Sequence, residues 1–497
     1  MPSPKGKYLI YLLLLLFAIP LFCMNIHSYH QWGDDYAQYI KEAQNIVAGK
    51  PYYQSNYIYN PLNTSYSPAL YPPGFPLLLA PIVLFWGLNI KVMLYYITLF
   101  LAALLLTLYS YFKKSSNTVT AICLSLIVVY CSYIIDFKQH VLSDIPCLLF
   151  VSIYLNLRKN DTLSAIRIVL LICMATIAIL IRSQAVLLLI AEGVLLAIGL
   201  AKRMVGRKLS LKKAMAILIV IAGTAALYFV IDKLIFHTPS GSDSFYKNIY
   251  LANTNYLHIV LSNILYLCTC ITLIFHHSPN GFVWEAMVFI IEYTGLAVGI
   301  AGLIITLRKR LLMEDIFFLL MCLLILITPV HDGMRYFLPA VPVCVYYCKE
   351  GAKAFTSRFV LITPSKVAFL FTFIYLFLGY HDYKETTHAP GYIWSPNTKA
   401  DTAAFKYLVA NTGKDDVILF SKPRVLTLYT NKKAMVIAYT ASFEESKRQI
   451  DSMHIKYLLW RSDVSEPYFK DYLSYTHSAI DSYKINDLYT LYTLRHN

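Results

Sequence analysis

Charged side chains make up only 14% of the 497 residues while apolar ones make up 58%, and that shortage excludes a single soluble domain. P-loop, GxSxG, in-context GxGxxG and HExxH patterns are all missing from the sequence. Soluble-nucleotide chemistry and hydrolase triads therefore have no support. The ten cysteines lie in or beside apolar segments. Their tightest spacing, Cys268-x-Cys270, is too close for a zinc finger, so they read as small buried hydrophobes and no metal-ligand cluster is predicted. From Lys399 onward there is no cysteine, so that segment folds without disulfides. The net charge of +15 comes without an aromatic-basic groove, which argues against a nucleic-acid partner. An internal repeat, expected of a secondary transporter, is absent as well.

What is present is apolar sequence. Runs long enough to cross a hydrocarbon core of about 30 Å recur from residue 8 to residue 379. The run Tyr8 to Met24 follows Lys5 and Lys7 but lacks a small-residue cleavage site, so it reads as an uncleaved first span. Ten more are predicted near 92–112, 117–135, 142–157, 165–181, 185–201, 214–236, 286–307, 315–330, 336–348 and 359–379. With the N-terminus inside, eleven spans put every basic cluster on the cytoplasmic side. Those clusters are Lys5/Lys7, Lys113/Lys114, Arg158/Lys159, Lys202 to Lys213, Arg308 to Arg310, and Lys349 to Arg358. Two further apolar stretches, Pro76 to Ile90 and Leu257 to Phe275, break the alternation and read as interfacial or re-entrant helices.

The composition changes after the last span. Lys399 to Asn497 carries 14 Lys+Arg and 11 Asp+Glu, leaving +12 on the residues before it. The expected organisation is a membrane domain over 1–380, with a first outer loop at 25–91, and a soluble extracytoplasmic domain over 381–497. Strands are predicted near 416–420, 434–438 and 456–460, giving a small α/β domain in which the residues themselves reveal no site.

The outer loops collect the residues that suggest chemistry. Asp34 and Asp35 head an amphipathic stretch in which Tyr36, Tyr39, Ile40, Ala43, Ile46 and Val47 recur at helical spacing. A carboxylate at the membrane surface suits a general base. Asp35 with Gln38 three residues on equally fits a capping box. Asp144 opens the fourth span after Asp136, Lys138 and His140, and a helix cap is again the alternative. Arg182 and Gln184 interrupt the apolar run between spans five and six, and His331, Asp332 and Arg335 precede the tenth span. An arginine at such a place suits a phosphate, or is a solvated loop cation. Tyr71-Pro72-Pro73-Gly74 is a rigid aromatic turn. Glu192 lies inside span six without an obvious partner, which makes it a functional candidate by position.

Taken together, these residues resemble the GT-C glycosyltransferases of the family 39-like branch. That branch holds protein O-mannosyltransferases and bacterial enzymes that transfer aminoarabinose to lipid A. Three places carry the resemblance: Asp35, Tyr39 and Ala43 as D-x-x-x-Y-x-x-x-A, with Asp34 adjacent; Asp144-Ile145-Pro146; and Arg335, Tyr336, Pro339 and Pro342 as R-Y-x-x-P-x-x-P. Leu70 and Tyr71 stand where the lipid A-modifying members carry Glu-Lys, and Tyr36 follows Asp35 where many relatives have Glu. Both are departures from the family pattern, and the first speaks against the aminoarabinose activity itself.

The resemblance implies a polytopic α-helical membrane enzyme of the cell envelope that moves a sugar from a polyprenyl-phosphate donor to a lipid, glycan or protein acceptor. The transfer would be inverting and take place on the outer face of the cytoplasmic membrane. It implies Asp35 as base with Asp34 and Asp144 beside it, and Arg335 and Arg182 on the donor phosphate. Tyr336, Tyr71, His331 and Tyr39 are the other candidate substrate contacts. No organic cofactor is implied, and a divalent metal stays open. Transport of a small solute is the alternative.

Overall fold

The computed structural model describes the chain except residues 1–3, 25, 61, 63–67, 160–163, 205–209, 239–254, 279–281, 358–362, 389–394, 438–441, 477–478 and 496–497. Of the segment 237–285, between the spans predicted near 214–236 and 286–307, residues 239–254 and 279–281 lie outside the described residues. The chain divides into two compact units.

The first unit gathers residues 1–26, 94–234 and 255–389 and is helical. Its elements are α1 (Pro4–Cys23), then α4 (Ile90–Lys113), α5 (Thr118–Val129), α6 (Ser132–Phe137), α7 (Asp144–Arg158), α8 (Ala165–Ile181), α9 (Leu187–Met204) and α10 (Leu211–Phe229). After these come α11 (Tyr256–Thr272), α12 (Phe282–Lys309), α13 (Met313–Ile327), α14 (Val341–Thr356) and α15 (Pro364–His388). Among the described residues, four helices are long and apolar enough to cross a membrane: Ile90–Lys113, Ser183–Ala201, Leu211–Ile235 and Val283–Lys309. Shorter apolar helices accompany them. Leu99, Ile166, Leu218, Leu265, Phe289 and Phe373 project from their helices into the surroundings. Apolar residues on the outside of apolar helices fit a hydrocarbon solvent rather than water.

The predicted spans find helices near their places, with instructive differences. The span expected at 117–135 is broken at Cys131, whose extended ψ of 128° separates α5 from α6. The span expected at 336–348 starts later, through a 3-10 turn at Leu338–Ala340, and α14 then runs on to Thr356. Helices α12 and α14 cross at near-contact of their backbones. A Cβ on Gly302 would stand 1.9 Å from the Tyr347 carbonyl oxygen, and one on Gly351 2.1 Å from that of Val298. Small residues at such crossings are how helices without a hydrophobic driving force pack closely.

Basic clusters from separate stretches of sequence meet at one end of this unit. Lys159 pairs with Glu314 at 3.3 Å, Tyr111 OH donates to Glu314 at 2.8 Å, and Tyr347 OH donates to Asp315 at 2.8 Å. Lys349 donates to the Ser115 carbonyl at 3.1 Å, and Lys114 to that of Asn156. Asp144 begins α7 and Arg158 ends it, so the two ends of that helix are about 21 Å apart.

The second unit gathers residues 27–93, 235–254 and 390–497. The first loop, read from the sequence as an appendage of the membrane domain, thus folds with the C-terminal segment. Two helices come from the loop: α2 (Asp35–Val47) and α3 (Gly74–Trp86). At 13 residues, α3 is about 20 Å long, short of a hydrocarbon core. The C-terminal segment adds α16 (Lys399–Asn411), α17 (Pro423–Thr430), α18 (Phe443–Ser452) and α19 (Tyr468–Thr476) around a five-stranded sheet.

The strands are β1 (Val417–Leu419), β2 (Lys433–Met435), β3 (Ile455–Arg461), β4 (Ala479–Lys484) and β5 (Tyr489–Leu494), in the order β2-β1-β3-β5-β4. The first three are parallel and match the predicted strands; β4 and β5 form an antiparallel hairpin edge that the sequence pattern did not reveal. The loop extends the sheet beyond β2. Ala434 N–H donates to Asn56 O at 3.1 Å and Ile58 N–H to Ala434 O at 2.9 Å, while Ile58 packs against the core of Leu419, Leu458 and Ile455.

Candidate functional site

In the second unit, α2 and α17 are fastened to each other at both ends of α17. Asp34 Oδ1 accepts from Val425 N–H at 3.4 Å, placing an anion at the positive N-terminus of α17. At the other end the left-handed Asn431 (φ 56°) accepts from Lys41 Nζ at 2.7 Å and from Asn56 Nδ2 at 3.0 Å. Pro423 fits the first position of α17, where its missing N–H costs nothing. Arg424 follows it and is fully buried.

That arginine reaches the candidate base. Its Nη1 lies 3.5 Å from Asp35 Oδ1 and donates to Tyr71 OH at 3.1 Å, and Nη2 donates to the Pro68 carbonyl. Its Nε stands 3.9 Å from Asp34 Oδ2. Tyr71 OH in turn donates to Asp35 Oδ1 at 2.6 Å. The guanidinium lies over the Tyr57 and Tyr71 rings, 4.8 and 5.2 Å from their centroids. Burial works against its charge, but Tyr71, Tyr57, Asp34 and Asp35 outweigh that and hold its pKa well above the ordinary value. The Asp35 side chain keeps 17% exposure and Asp34 9%, so of the pair Asp35 is nearer the surface.

The capping box expected of Asp35 and Gln38 does not form. Asp34 holds the cap position with no side-chain cap bond, and Asp35 is already the first residue of the helix. Gln38 donates instead to Glu42 Oε1 at 2.7 Å and Ser55 Oγ at 3.2 Å. Asp35, Gln38 and Glu42 form one stripe of α2, along which Tyr71 lies: its hydroxyl meets Asp35 and its N–H donates to Glu42 Oε1 at 3.3 Å. Burial pushes the Glu42 carboxyl up to about 8, against the lowering pull of Gln38, the Tyr71 N–H and Arg424. Tyr39 stacks on Tyr71 at 4.5 Å and meets Phe75 edge-on at 4.9 Å.

The other candidates gather in the first unit. Asp144 is 1% exposed and accepts from Arg182 Nη1 at 2.5 Å and from Arg335 Nε at 3.2 Å to both oxygens. Arg335 Nη1 donates to Asp332 at 3.1 Å. The two arginines therefore meet on one carboxylate that is much more than a helix cap. Arg182 gets there because α8 ends at it in extended backbone (φ −148°, ψ 124°). Tyr336 has the Arg182 guanidinium 5.8 Å from its ring centroid.

His331 stacks on Tyr266 of α11 at 4.0 Å, and its Nε2 lies 2.5 Å from Asn263 Oδ1. Tyr266 OH accepts from the Asp332 N–H at 3.1 Å and donates to the Gly333 carbonyl. Gly333 has a φ of 52°, and a Cβ there would come within 3.1 Å of the Tyr133 ring. His140 lies 3.8 Å from Asp136.

Glu192 is corrected outright. It accepts from Arg158 Nε at 2.6 Å and Nη2 at 3.3 Å, and from Tyr154 OH at 3.0 Å, so an intramembrane acid without an obvious partner in the sequence is a buried ion pair. Arg158, assigned to a cytoplasmic loop, is the last residue of α7 and its side chain pairs with Glu192. Among the described residues, no group of three or more His, Cys, Asp or Glu side chains could hold a metal ion.

No protein-family model matches the sequence, and no curated protein does. Solved structures do match. ArnT from Cupriavidus metallidurans bound to undecaprenyl phosphate aligns over 99% of this chain and 98% of its own, at 11% identity and a TM-score of 0.56. The archaeal oligosaccharyltransferase AglB from Archaeoglobus fulgidus, in complex with an inhibitory peptide and a dolichol-phosphate, aligns over 92% of this chain and 70% of its own. There the identity is 11% and the TM-score 0.55. Both neighbours are GT-C superfamily glycosyltransferases. At that identity the likeness establishes the fold, which is the one the sequence resemblance implied.

Proposed function

We propose that the chain is a membrane glycosyltransferase that moves a sugar from a polyprenyl-phosphate donor to an acceptor hydroxyl or phosphate, with inversion. The observation that carries the reading is the Asp35 carboxylate. It heads an amphipathic helix, is aimed by Tyr71 and Arg424, and keeps some exposure, in a chain whose fold is shared with lipid-linked sugar transferases.

With a hydroxyl acceptor, Asp35 removes the proton as the acceptor oxygen attacks C1 of the sugar. The C1–O bond to the phosphate breaks on the opposite face, and its electron pair leaves with the polyprenyl phosphate. Arg182 and Arg335, organised by Asp144, are the donor-phosphate candidates, since guanidinium forks match phosphate oxygens. Tyr39, Tyr71, His331 and Tyr336 are candidate substrate contacts. The site belongs on the outer face of the cytoplasmic membrane, with the C-terminal domain extracytoplasmic and the basic end of the bundle cytoplasmic.

Mass spectrometry of lipid-linked sugars and envelope glycans, in cells with and without the gene, tests the reading. In its absence a polyprenyl-phosphate sugar is expected to accumulate and one glycosylated product to disappear. Wild type restores the product and Asp35→Asn does not, because loss of a general base costs about 100- to 10,000-fold. Full rescue by Asp35→Asn overturns the role of the base. An unchanged glycan profile with altered uptake of a solute overturns the transferase itself.

A further inference from the structure

Arg424 lies in the C-terminal segment, nearly 390 residues from the aspartates it faces, and the base alone does not account for it. It is 0% exposed, and among the described residues its buried Nε–H has no hydrogen-bond acceptor. Burying a guanidinium is costly unless opposite charge and hydrogen bonds compensate, and here both come from the first loop. Asp34 and Asp35 are adjacent acids on one side of it, Tyr71 OH and the Pro68 carbonyl take its Nη protons, and Tyr57 lies under its plane.

Two neighbouring carboxylates in a partly buried place repel each other, and without a cation one of them takes up a proton. A protonated Asp35 accepts no proton from an acceptor. Among the described residues, those that face Asp35 include Tyr71 from the turn before α3, Asp34 beside it on the chain, and Arg424 from α17; Glu42 lies two turns further along α2. Of these, Arg424 brings the positive charge.

We propose that Arg424 is a positioning residue of the transfer reaction. It keeps Asp35 ionised while Asp34 is also charged, and it fixes the Tyr71 hydroxyl against Asp35. The C-terminal domain thereby helps to complete the base. This rests on Asp35 being the base.

The test is the pH profile of product formation by the full-length protein reconstituted in liposomes. The substrate source is the total lipid and envelope extract of cells lacking the gene, and product is followed by mass spectrometry between about pH 5 and 9, the range that brackets a perturbed carboxylate. Arg424→Met is expected to move the acid limb of the profile to higher pH by about one unit or more, the size of effect an opposite charge at this distance exerts on a carboxylate. Arg424→Met combined with Asp34→Asn is expected to move the limb back toward wild type, because the repelling charge is gone. Neither shift is expected of a merely structural residue.

Arg424→Lys covers the case in which Arg424→Met does not fold. It keeps the acid limb near wild type but lowers turnover about tenfold, since an ammonium cannot reproduce the planar fork between Pro68 and Tyr71. Reduced turnover in Arg424→Met with an unmoved acid limb, or wild-type turnover in Arg424→Lys, overturns the proposal while leaving Asp35 in place. Retained turnover in Asp35→Asn instead removes the reading on which it rests.

Discussion

Glu42 shows how one residue of the stripe on α2 connects stability to the site. Its carboxyl is fully buried between Gln38 and the Tyr71 N–H, and burial raises its pKa from an ordinary 4.5 to about 8. The folded state therefore holds a proton that the unfolded chain releases above pH 4.5. Stability from this group is full below that value and falls as pH rises through about 8. A shift of this size is worth on the order of a few kcal/mol. Glu42→Gln keeps an oxygen for Gln38 and Tyr71 but carries no charge. Its melting temperature should exceed wild type at about pH 8 and converge with it near about pH 5, measured by thermal unfolding in detergent. Equal pH dependence in the two proteins would mean that Glu42 does not hold its proton in the fold.

The same stripe marks where sequence reasoning about side chains works and where it stops. Asp35, Tyr39 and Tyr71 could be singled out because helical spacing and a Pro-Pro turn are local patterns. The box with Gln38 was local too, yet it lost to tertiary partners, Glu42 and Ser55. Arg424 was out of reach for a different reason. In a segment with 14 basic residues, one arginine next to a proline looks like a solvated surface charge. Only the tertiary packing that seats α17 beside α2 reveals it as buried. Glu192 failed similarly, since Arg158 is remote in sequence and was assigned to a loop.

At the scale of elements, periodicity located helices well and junctions poorly. Hydropathy averages over many residues, so it cannot see the non-helical ψ of Cys131 at the break between α5 and α6. Nor does it see how closely helices approach. Gly302 and Gly351 sit where α12 and α14 touch backbone to backbone, and only the Gly295-x-x-x-Gly299 spacing of the same helix hints at it. Gly302→Ala or Gly351→Ala must push the helices apart, at a cost of about 1–3 kcal/mol or more. At Gly193 in α9 an added methyl would meet nothing within 4 Å among the described residues, so Gly193→Ala gains up to about 1 kcal/mol from helix propensity. Thermal stability of the purified variants should therefore fall for the first two and hold or rise for the third. Tolerance of alanine at both Gly302 and Gly351 would contradict the close crossing.

At the scale of the whole molecule, the division of labour is not the one that composition suggests. Hydropathy separates an apolar front from a charged tail, but folding joins the first loop to the tail across hundreds of residues. Ile58 contributes to the core around Leu458, the backbone at Asn56 and Ile58 continues the sheet at Ala434, and Trp32 lies 4.9 Å from the Arg461 guanidinium. Shared burial makes such segments unfold together. Leu458→Ala removes a fully buried side chain from the central strand β3, a change that costs about 2–5 kcal/mol. Hydrogen exchange should then accelerate in β1, β2 and β3, and equally in residues 56–60 and in α2, while α12 and α14 stay protected as in wild type. Faster exchange confined to the C-terminal strands would mean that the loop folds independently of the tail. The base would then be built without the domain that supplies Arg424, and the pH profile of Arg424→Met would have to be explained by contacts within the loop alone.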